Sequence, residues 1–214
     1  MKCDCGLSYV PGHPDDETYH AQIHAEYLSG PEIPVIRLLS PCATDGPLSI
    51  YVVDGTCLEA IRCALAHVAM VAHRSMPEYP AGYDGTVTED DQRLYLAADG
   101  ARIVAMALTT LDDASWRLAW QADGSLTLIE PVASISRSHK IARVWTAAAY
   151  RRRGLALRLI QTASGLLPCA IADLGWELPF TPGGARLVQR LCPEVFWACC
   201  DTFTLQEVLQ TAPA

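Results

Sequence analysis

The chain has 214 residues, enough for one ordinary domain with a small appendage and a real core. Half of it is hydrophobic, 19% is charged and the mean hydropathy is +0.15, which excludes a disordered chain. With 24 Asp and Glu against 16 Lys and Arg the formal charge is -8, which argues against a general nucleic-acid-binding surface and favours a cationic partner.

Nine cysteines make an odd count, and Met1-Lys2-Cys3-Asp4-Cys5 lacks the apolar segment of a secretory signal, so a reducing, cytoplasmic setting is expected. Cys42, Cys57, Cys63, Cys169, Cys192, Cys199 and Cys200 sit in apolar surroundings and read as small hydrophobes. No apolar run approaches the roughly 18 residues of a membrane helix.

Taken in order, the first thirty residues are polar and carry three of the six histidines. Pro11-Gly12-His13-Pro14 reads as a turn, with His13 as a turn residue, and the spacing of His20, Ile23, His24 and Tyr27 predicts a helix over 18–28 stopped by Gly30-Pro31. Residues 32–47 read as a connector with a short strand at 35–39. An α/β pattern follows. Strand 49–53 leads to a helix opened by a Thr56/Glu59 capping box, with Leu58, Ile61, Leu65, Val68 and Ala72 as its apolar stripe.

Residues 75–91 form a long loop rich in Pro, Gly, Tyr and acid (Glu78, Tyr79, Tyr83, Asp84, Glu89, Asp90, Asp91), suited to attracting a polycation or simply solvated. Two hairpins follow, 93–97 with 101–109 and 115–120 with 125–132. The remaining elements are strand 139–147, helix 152–166, strand 169–175, helix 181–191 with Thr181 as its N-cap and Pro182 at its first position, and strand 194–203. The order is β-α-β-β-(β-β)-β-α-β-α-β, without repeats.

Two motifs carry chemistry. Cys3-x-Cys5, fourteen residues, then His20-x3-His24 offers two thiolates and two imidazoles, the ligand set of a structural Zn2+ site, with both histidines on one helix face. Two incidental cysteines and two exposed histidines are the plain alternative. The second motif runs from Val144-Trp145-Thr146 through Arg151-Arg152-Arg153-Gly154-Leu155-Ala156, a strand passing through a loop into a helix. Backbone N–H groups at a helix start, opened by Gly154 and Ala156 and flanked by arginines, suit a pyrophosphate. An ordinary solvated arginine-rich helix start is the alternative.

This strand, loop and helix resemble motif A of the GNAT acetyltransferases, Arg151, Gly154 and Ala156 fitting Arg/Gln-x-x-Gly-x-Gly/Ala. The resemblance implies a GNAT fold, a mixed and mostly antiparallel central sheet flanked by helices, with acetyl-CoA as co-substrate. It also implies that Trp145, Thr146 and Ala147 run along the pantetheine arm while Arg151, Arg152, Arg153, Gly154, Leu155 and Ala156 hold the diphosphate. Cys5-Gly6-Leu7-Ser8-Tyr9 with Pro14-Asp15-Asp16-Glu17-Thr18-x-His20-x3-His24 further resembles the finger of the sister-chromatid cohesion acetyltransferases. Ile141-Ala142-Arg143-Val144-Trp145 and Thr181-Pro182-Gly183-Gly184 match the same family.

The expected organisation is a zinc finger over 1–30, a connector over 31–47 and a GNAT domain over 48–214. Three departures stand out. Cys-x-Cys replaces Cys-x-x-Cys, Ala142 replaces a serine, and Leu178-Pro179-Phe180-Thr181-Pro182 lacks the carboxylate that the family uses in catalysis.

Acetyl transfer to an amine needs the amine neutral, the thioester carbonyl polarised and the leaving thiolate protonated. Glu177, at the end of the strand after motif A, is the first candidate base and Asp173 the second. Cys199, Cys200 or water are candidates for the acid. Expected acceptors are a cationic small molecule, such as an aminoglycoside or polyamine, or a protein lysine. The rival expectation is a degenerate CoA-binding or finger interaction module.

Overall fold

The computed structural model describes residues 1–76, 91–112, 116–131, 138–200 and 202–210. The acidic loop therefore lies, from residue 77 to 90, outside the described residues. The architecture is α/β, a mixed and largely antiparallel set of strands flanked by helices, as expected. The contacts divide the chain into two compact units, Met1–Met106 with Trp145–Leu159, and Ala107–Val144 with Ile160–Ala214.

The first unit opens with α1 (Pro14–Ser29), four residues earlier than the apolar spacing indicates. Pro14 supplies a ready helical φ at the first position, and Asp15, Asp16 and Glu17 complement the positive end of the dipole. Two of these acids also tie down the preceding turn, Asp16 accepting from the Val10 N–H at 3.0 Å and Glu17 from the Gly12 N–H at 2.9 Å. The expected strand at 35–39 is instead a 3-10 helix, Pro34–Leu38, because Pro34 sits at its N-terminus and Ile36 turns into the core.

Strands β1 (Ala43–Asp45), which sequence patterning missed, β2 (Leu48–Val53), β3 (Arg93–Asp99) and β4 (Arg102–Asp112, which from Ala107 belongs to the second unit) follow one another in the strand order. Leu94–Ala98 and Ile103–Leu108 are buried without interruption, the signature of strands covered on both faces. Between β2 and β3 runs α2 (Glu59–Arg74), burying Ile61, Leu65, Val68, Ala69, Val71 and Ala72. The Thr56 capping box does not form. Asp54 Oδ1 instead accepts from both the Thr56 N–H (3.0 Å) and its hydroxyl (2.6 Å), making an Asx turn, and α2 begins after Leu58. The Thr56 bond chiefly holds the Asp54 carboxyl below its ordinary pKa.

In the second unit β7 (Ser138–Thr146, whose last two residues belong to the first), β8 (Gly175–Glu177), β9 (Val195–Cys199), β5 (Trp116–Trp120) and β6 (Leu126–Pro131) lie side by side. The β7–β8 and β8–β9 pairs are parallel and the rest antiparallel. The expected strand 169–175 is mostly a 3-10 turn (Ile171–Asp173) followed by the three-residue β8, so Glu177 lies within the strand. The last expected strand stops at Cys199, and its tail becomes a helix, α5 (Thr202–Gln210).

Helix α4 (Pro182–Leu191) is capped as expected, Thr181 Oγ1 accepting from the Gly184 N–H at 3.1 Å. The core gathers Leu118, Ile141, Trp176, Val188 and Phe196, and Trp120 packs against Phe180 and Phe196 with ring centroids 6.4 and 5.2 Å away. Two indoles are anchored to backbone, Trp116 to the Cys200 carbonyl (3.0 Å) and Trp120 to that of Cys192 (3.2 Å).

Candidate functional site

The N-terminal strand-like turn brings Cys3 and Cys5 to α1. Gly6, at φ +85, lets the chain reverse so that its N–H donates to the Cys3 carbonyl (2.9 Å) and the Cys3 N–H to that of Leu7 (3.0 Å). His20 and His24 stand one turn apart on α1. One donor atom from each of Cys3, Cys5, His20 and His24 lies within 4.8 Å of the others, and Cys3 Sγ is 3.3 Å from His24 Nδ1. A tetrahedral zinc shell with bonds of about 2.0–2.3 Å has edges of about 3.3–3.8 Å, so little movement separates these atoms from a ligand set.

Two further observations fit a metal. His20 Nε2 is buried without a hydrogen-bond partner, a state an N-donor rarely keeps unless something else engages it. Tyr9 stacks on the His20 ring at 3.9 Å and 10°, fixing its plane. The shortened Cys-x-Cys spacing thus still delivers four donors.

The arginine loop belongs to the same unit. After β7 the Ala147 N–H donates to the Val104 carbonyl of β4 (2.9 Å), and Ala148–Tyr150 make a 3-10 turn. Arg152 (φ +60) and Gly154 (φ +77) are both left-handed, and the Arg158 N–H bonds to the Gly154 carbonyl at 3.1 Å. Gly154 therefore caps α3 (Leu155–Leu166), which starts later than the expected residue 152. The amides of Leu155, Ala156 and Leu157 are left without intrahelical partners, as in any first turn. Nothing lies within 4 Å of where a Gly154 Cβ would be, so the backbone there is open. Trp145 is only 3% exposed and Ala147 is fully buried.

The three arginines differ. Arg151 turns back, its Nε donating to the Thr146 carbonyl (3.0 Å) and Nη1 to the Tyr27 hydroxyl (3.2 Å). Arg152 and Arg153 are exposed, Arg153 lying 5.3 Å above the Tyr150 ring. Tyr150 donates to Asp99 Oδ2 at 2.9 Å, and burial first, then this bond, raises its phenol pKa. Beside the loop lies a cleft of about 340 Å³ lined by the β1–β2 turn, Asp99, Tyr150, Arg153, Leu155 and Arg158. Arg158 is ion-paired with Asp45 across it.

In the second unit the parallel pair of β7 and β8 is in register only at Lys140↔Gly175 and Ile141↔Trp176. Glu177, one residue on, pairs with Cys199 of β9 instead. Its carboxylate meets Lys140 Nζ at 3.4 Å, the side chains being 32% and 16% exposed. Gly175 permits this packing, since a Cβ there would stand 2.6 Å from Cys199 Sγ and 3.1 Å from Lys140 Cβ. Asp173 is exposed on the 3-10 turn before β8 and is not brought to Glu177.

Tyr27 and Lys140 escaped the sequence reading as site residues. Tyr27 carried a signal in its helical phase with His20 and His24; Lys140 carried none.

Of the remaining cysteines Cys192 and Cys199 are buried as small hydrophobes, whereas Cys42 and Cys63, expected in apolar surroundings, are exposed on the connector and on one face of α2. Burial pushes the Cys192 thiol pKa up, and Cys42, also raised by burial, donates to the Ile50 carbonyl, whereas Cys63 is exposed. Iodoacetamide at about pH 7.5 should therefore modify the exposed Cys63 well before the buried Cys192 and Cys199. Peptide mass mapping over time checks the order.

No protein-family model matches the sequence, and no curated protein matches it. Solved structures do. The xEco2 acetyltransferase domain bound to a CoA conjugate superposes with a TM-score of 0.59 at 15% identity, over 77% of this chain and 99% of that one. A second structure of the xEco2 acetyltransferase domain gives 0.56 at 16% identity, over 75% and 95%. A ribosomal-protein-alanine N-acetyltransferase from Brucella melitensis biovar Abortus 2308 gives 0.42 at 11% identity, over 72% and 92%. At these identities the likeness speaks for the fold: the chain has the fold of the xEco2 acetyltransferase domain, the GNAT arrangement that its arginine loop led us to expect.

Proposed function

We propose that this protein is an acetyl-CoA-dependent N-acetyltransferase with a structural zinc finger at its N-terminus. The observation that carries the reading is the loop between β7 and α3, where two left-handed residues and an open Gly154 present the first amides of a helix beside exposed Arg152 and Arg153. The CoA conjugate bound to the structurally similar xEco2 domain supports the same cofactor. In this reading residues 1–30 are the finger, 31–47 the connector and 48–214 the transferase, acting in the cytoplasm. Cys3, Cys5, His20 and His24 hold Zn2+. Thr146 and the backbone of Trp145 and Ala147 line the pantetheine arm, and Arg152 through Ala156 hold the diphosphate, Arg151 keeping the loop in shape.

The acceptor is a primary amine on a cationic small molecule or a protein, in keeping with the net charge of -8. Glu177 is the base. It stands where β7 and β8 cease to pair, and its carboxylate already binds one ammonium group, that of Lys140. The proton it takes from the acceptor amine frees the nitrogen lone pair to attack the thioester carbonyl. The C–S bond then breaks, and a water relays the second proton of the attacking nitrogen to the departing thiolate, so that the product is a neutral amide and CoA leaves as a thiol. Asp173, exposed at the opposite end of β8, is the weaker alternative.

The test is CoA release from acetyl-CoA against aminoglycosides, polyamines and lysine peptides. Glu177→Gln is expected to lower turnover by about 10²-fold or more while acetyl-CoA affinity stays within about twofold. Unchanged turnover would remove Glu177 from the mechanism. A second reading, a non-catalytic CoA-binding module, draws on the missing carboxylate in Leu178–Pro182 and on Lys140 occupying Glu177. Binding of acetyl-CoA without release on any amine would establish it.

A further inference from the structure

Helix α1 buries one apolar side chain, Ile23, along sixteen residues. A helix with so little core contact is not held by burial. Among the described contacts its place depends on polar and backbone ties: the Cys3/Cys5/His20/His24 group near its middle, Glu26 to His67 of α2 at 3.0 Å, and Gly30 against the Ile103 carbonyl. One turn beyond His24, its ring 5.9 Å from that imidazole, stands Tyr27.

Tyr27 is the outer support of the arginine loop. Its ring lies 5.1 Å below the Arg151 guanidinium and its hydroxyl accepts from Nη1 at 3.2 Å. The same guanidinium, through Nε, closes the loop onto the Thr146 carbonyl five residues back. Arg151 is exposed, so without Tyr27 its side chain would trade the carbonyl for water. The strained residue Arg152 follows directly, and the direction of the amides at the start of α3 is set from there.

We propose that the finger is a positioning element for the cofactor loop: the metal group holds α1, α1 holds Tyr27, and Tyr27 holds Arg151 across the loop in its ligand-ready form. Tyr27 and Arg151 act here through the backbone they fix, not by touching the ligand. The proposal rests on the acetyl-CoA reading for what the loop binds, but not for the coupling itself. If metal and CoA favour the same loop geometry, each must tighten the binding of the other by the same factor.

Amide hydrogen exchange of the full chain tests the coupling without any turnover. Stripping zinc with a chelator should raise exchange in residues 147–154 by about tenfold while the β3 amides of Leu94–Ala98 stay protected. Zinc-loaded Tyr27→Leu should show the same rise, with no further increase on stripping, and Tyr27→Phe, which keeps the ring but loses the hydroxyl, should lie between. Zinc-loaded Tyr27→Leu exchanging like the unaltered protein would overturn the proposal, as would a loop indifferent to zinc. CoA titration of the same samples separates the two readings. A loop that responds to zinc and Tyr27 in a chain that binds no CoA upholds the coupling and removes the cofactor assignment. Binding of CoA with zinc affinity unchanged by CoA overturns the coupling alone.

Discussion

Gly30→Ala should lower the stability of the zinc-loaded protein by about 2–5 kcal/mol, the sum of a left-handed penalty of about 1–2 and an overpacking cost of about 1–3. Gly30 ends α1 at φ +86, where an added Cβ would stand 1.9 Å from the Ile103 carbonyl oxygen of β4. That oxygen cannot swing aside as a side chain would, because the surrounding backbone is pinned. The Ile103 N–H donates to the Pro31 carbonyl at 2.9 Å, the Ile33 N–H to that of Ala101 at 2.7 Å, and Arg102 Nη1 to that of Gly30 at 3.1 Å.

Gly46→Ala is the matched control. Its φ is +58, but no atom lies within 4 Å of the new Cβ, so only the conformational penalty of about 1–2 kcal/mol applies. Urea denaturation of both variants checks the contrast. Equal losses would mean that the approach of Gly30 to β4 contributes nothing.

The second large effect is on the ligand. Gly154→Val should weaken acetyl-CoA binding by about 100-fold or more, since a β-branched residue resists φ +77 and the loop must abandon the conformation that opens the helix start. No atom lies within 4 Å of the added Cβ, so stability should fall only by the conformational penalty of about 1–2 kcal/mol. Arg152→Glu, exposed and beside the same amides, should cost about tenfold in affinity by placing a negative charge where the diphosphate sits. Calorimetric titration with acetyl-CoA reads both. Retained affinity in Gly154→Val would remove the loop as the diphosphate seat.

Legibility from sequence followed how local the deciding force is. The finger donors were legible because their spacing alone places His20 and His24 on one face. The loop was legible because Gly154 and Ala156 sit between a strand pattern and a helix pattern. The opening of α2 was misjudged because Thr56 has two uses for its hydroxyl, and Asp54, two residues away, outcompetes the helix for it. The tail of β9 was misjudged because Thr202 to Gln210 carries apolar residues at spacings that serve strand or helix over a short run, leaving tertiary packing to choose.

Most opaque were the side chains whose role is set by distant partners. Arg151 has the composition of a phosphate ligand, yet its guanidinium is turned to Tyr27, 124 positions away in the chain. Lys140 faces Glu177 from another strand, a pairing that no spacing rule contains.

The first unit is assembled from two stretches, Met1–Met106 and Trp145–Leu159. On a ribosome adding roughly 5–20 residues per second, the finger and β1 to β4 are finished several seconds before Arg151 emerges to meet Tyr27. During that interval α1 must hold its place without its loop partner. On the proposed reading, metal loading of the nascent Cys3/Cys5/His20/His24 group would then be an early event in biogenesis, preceding completion of the arginine loop.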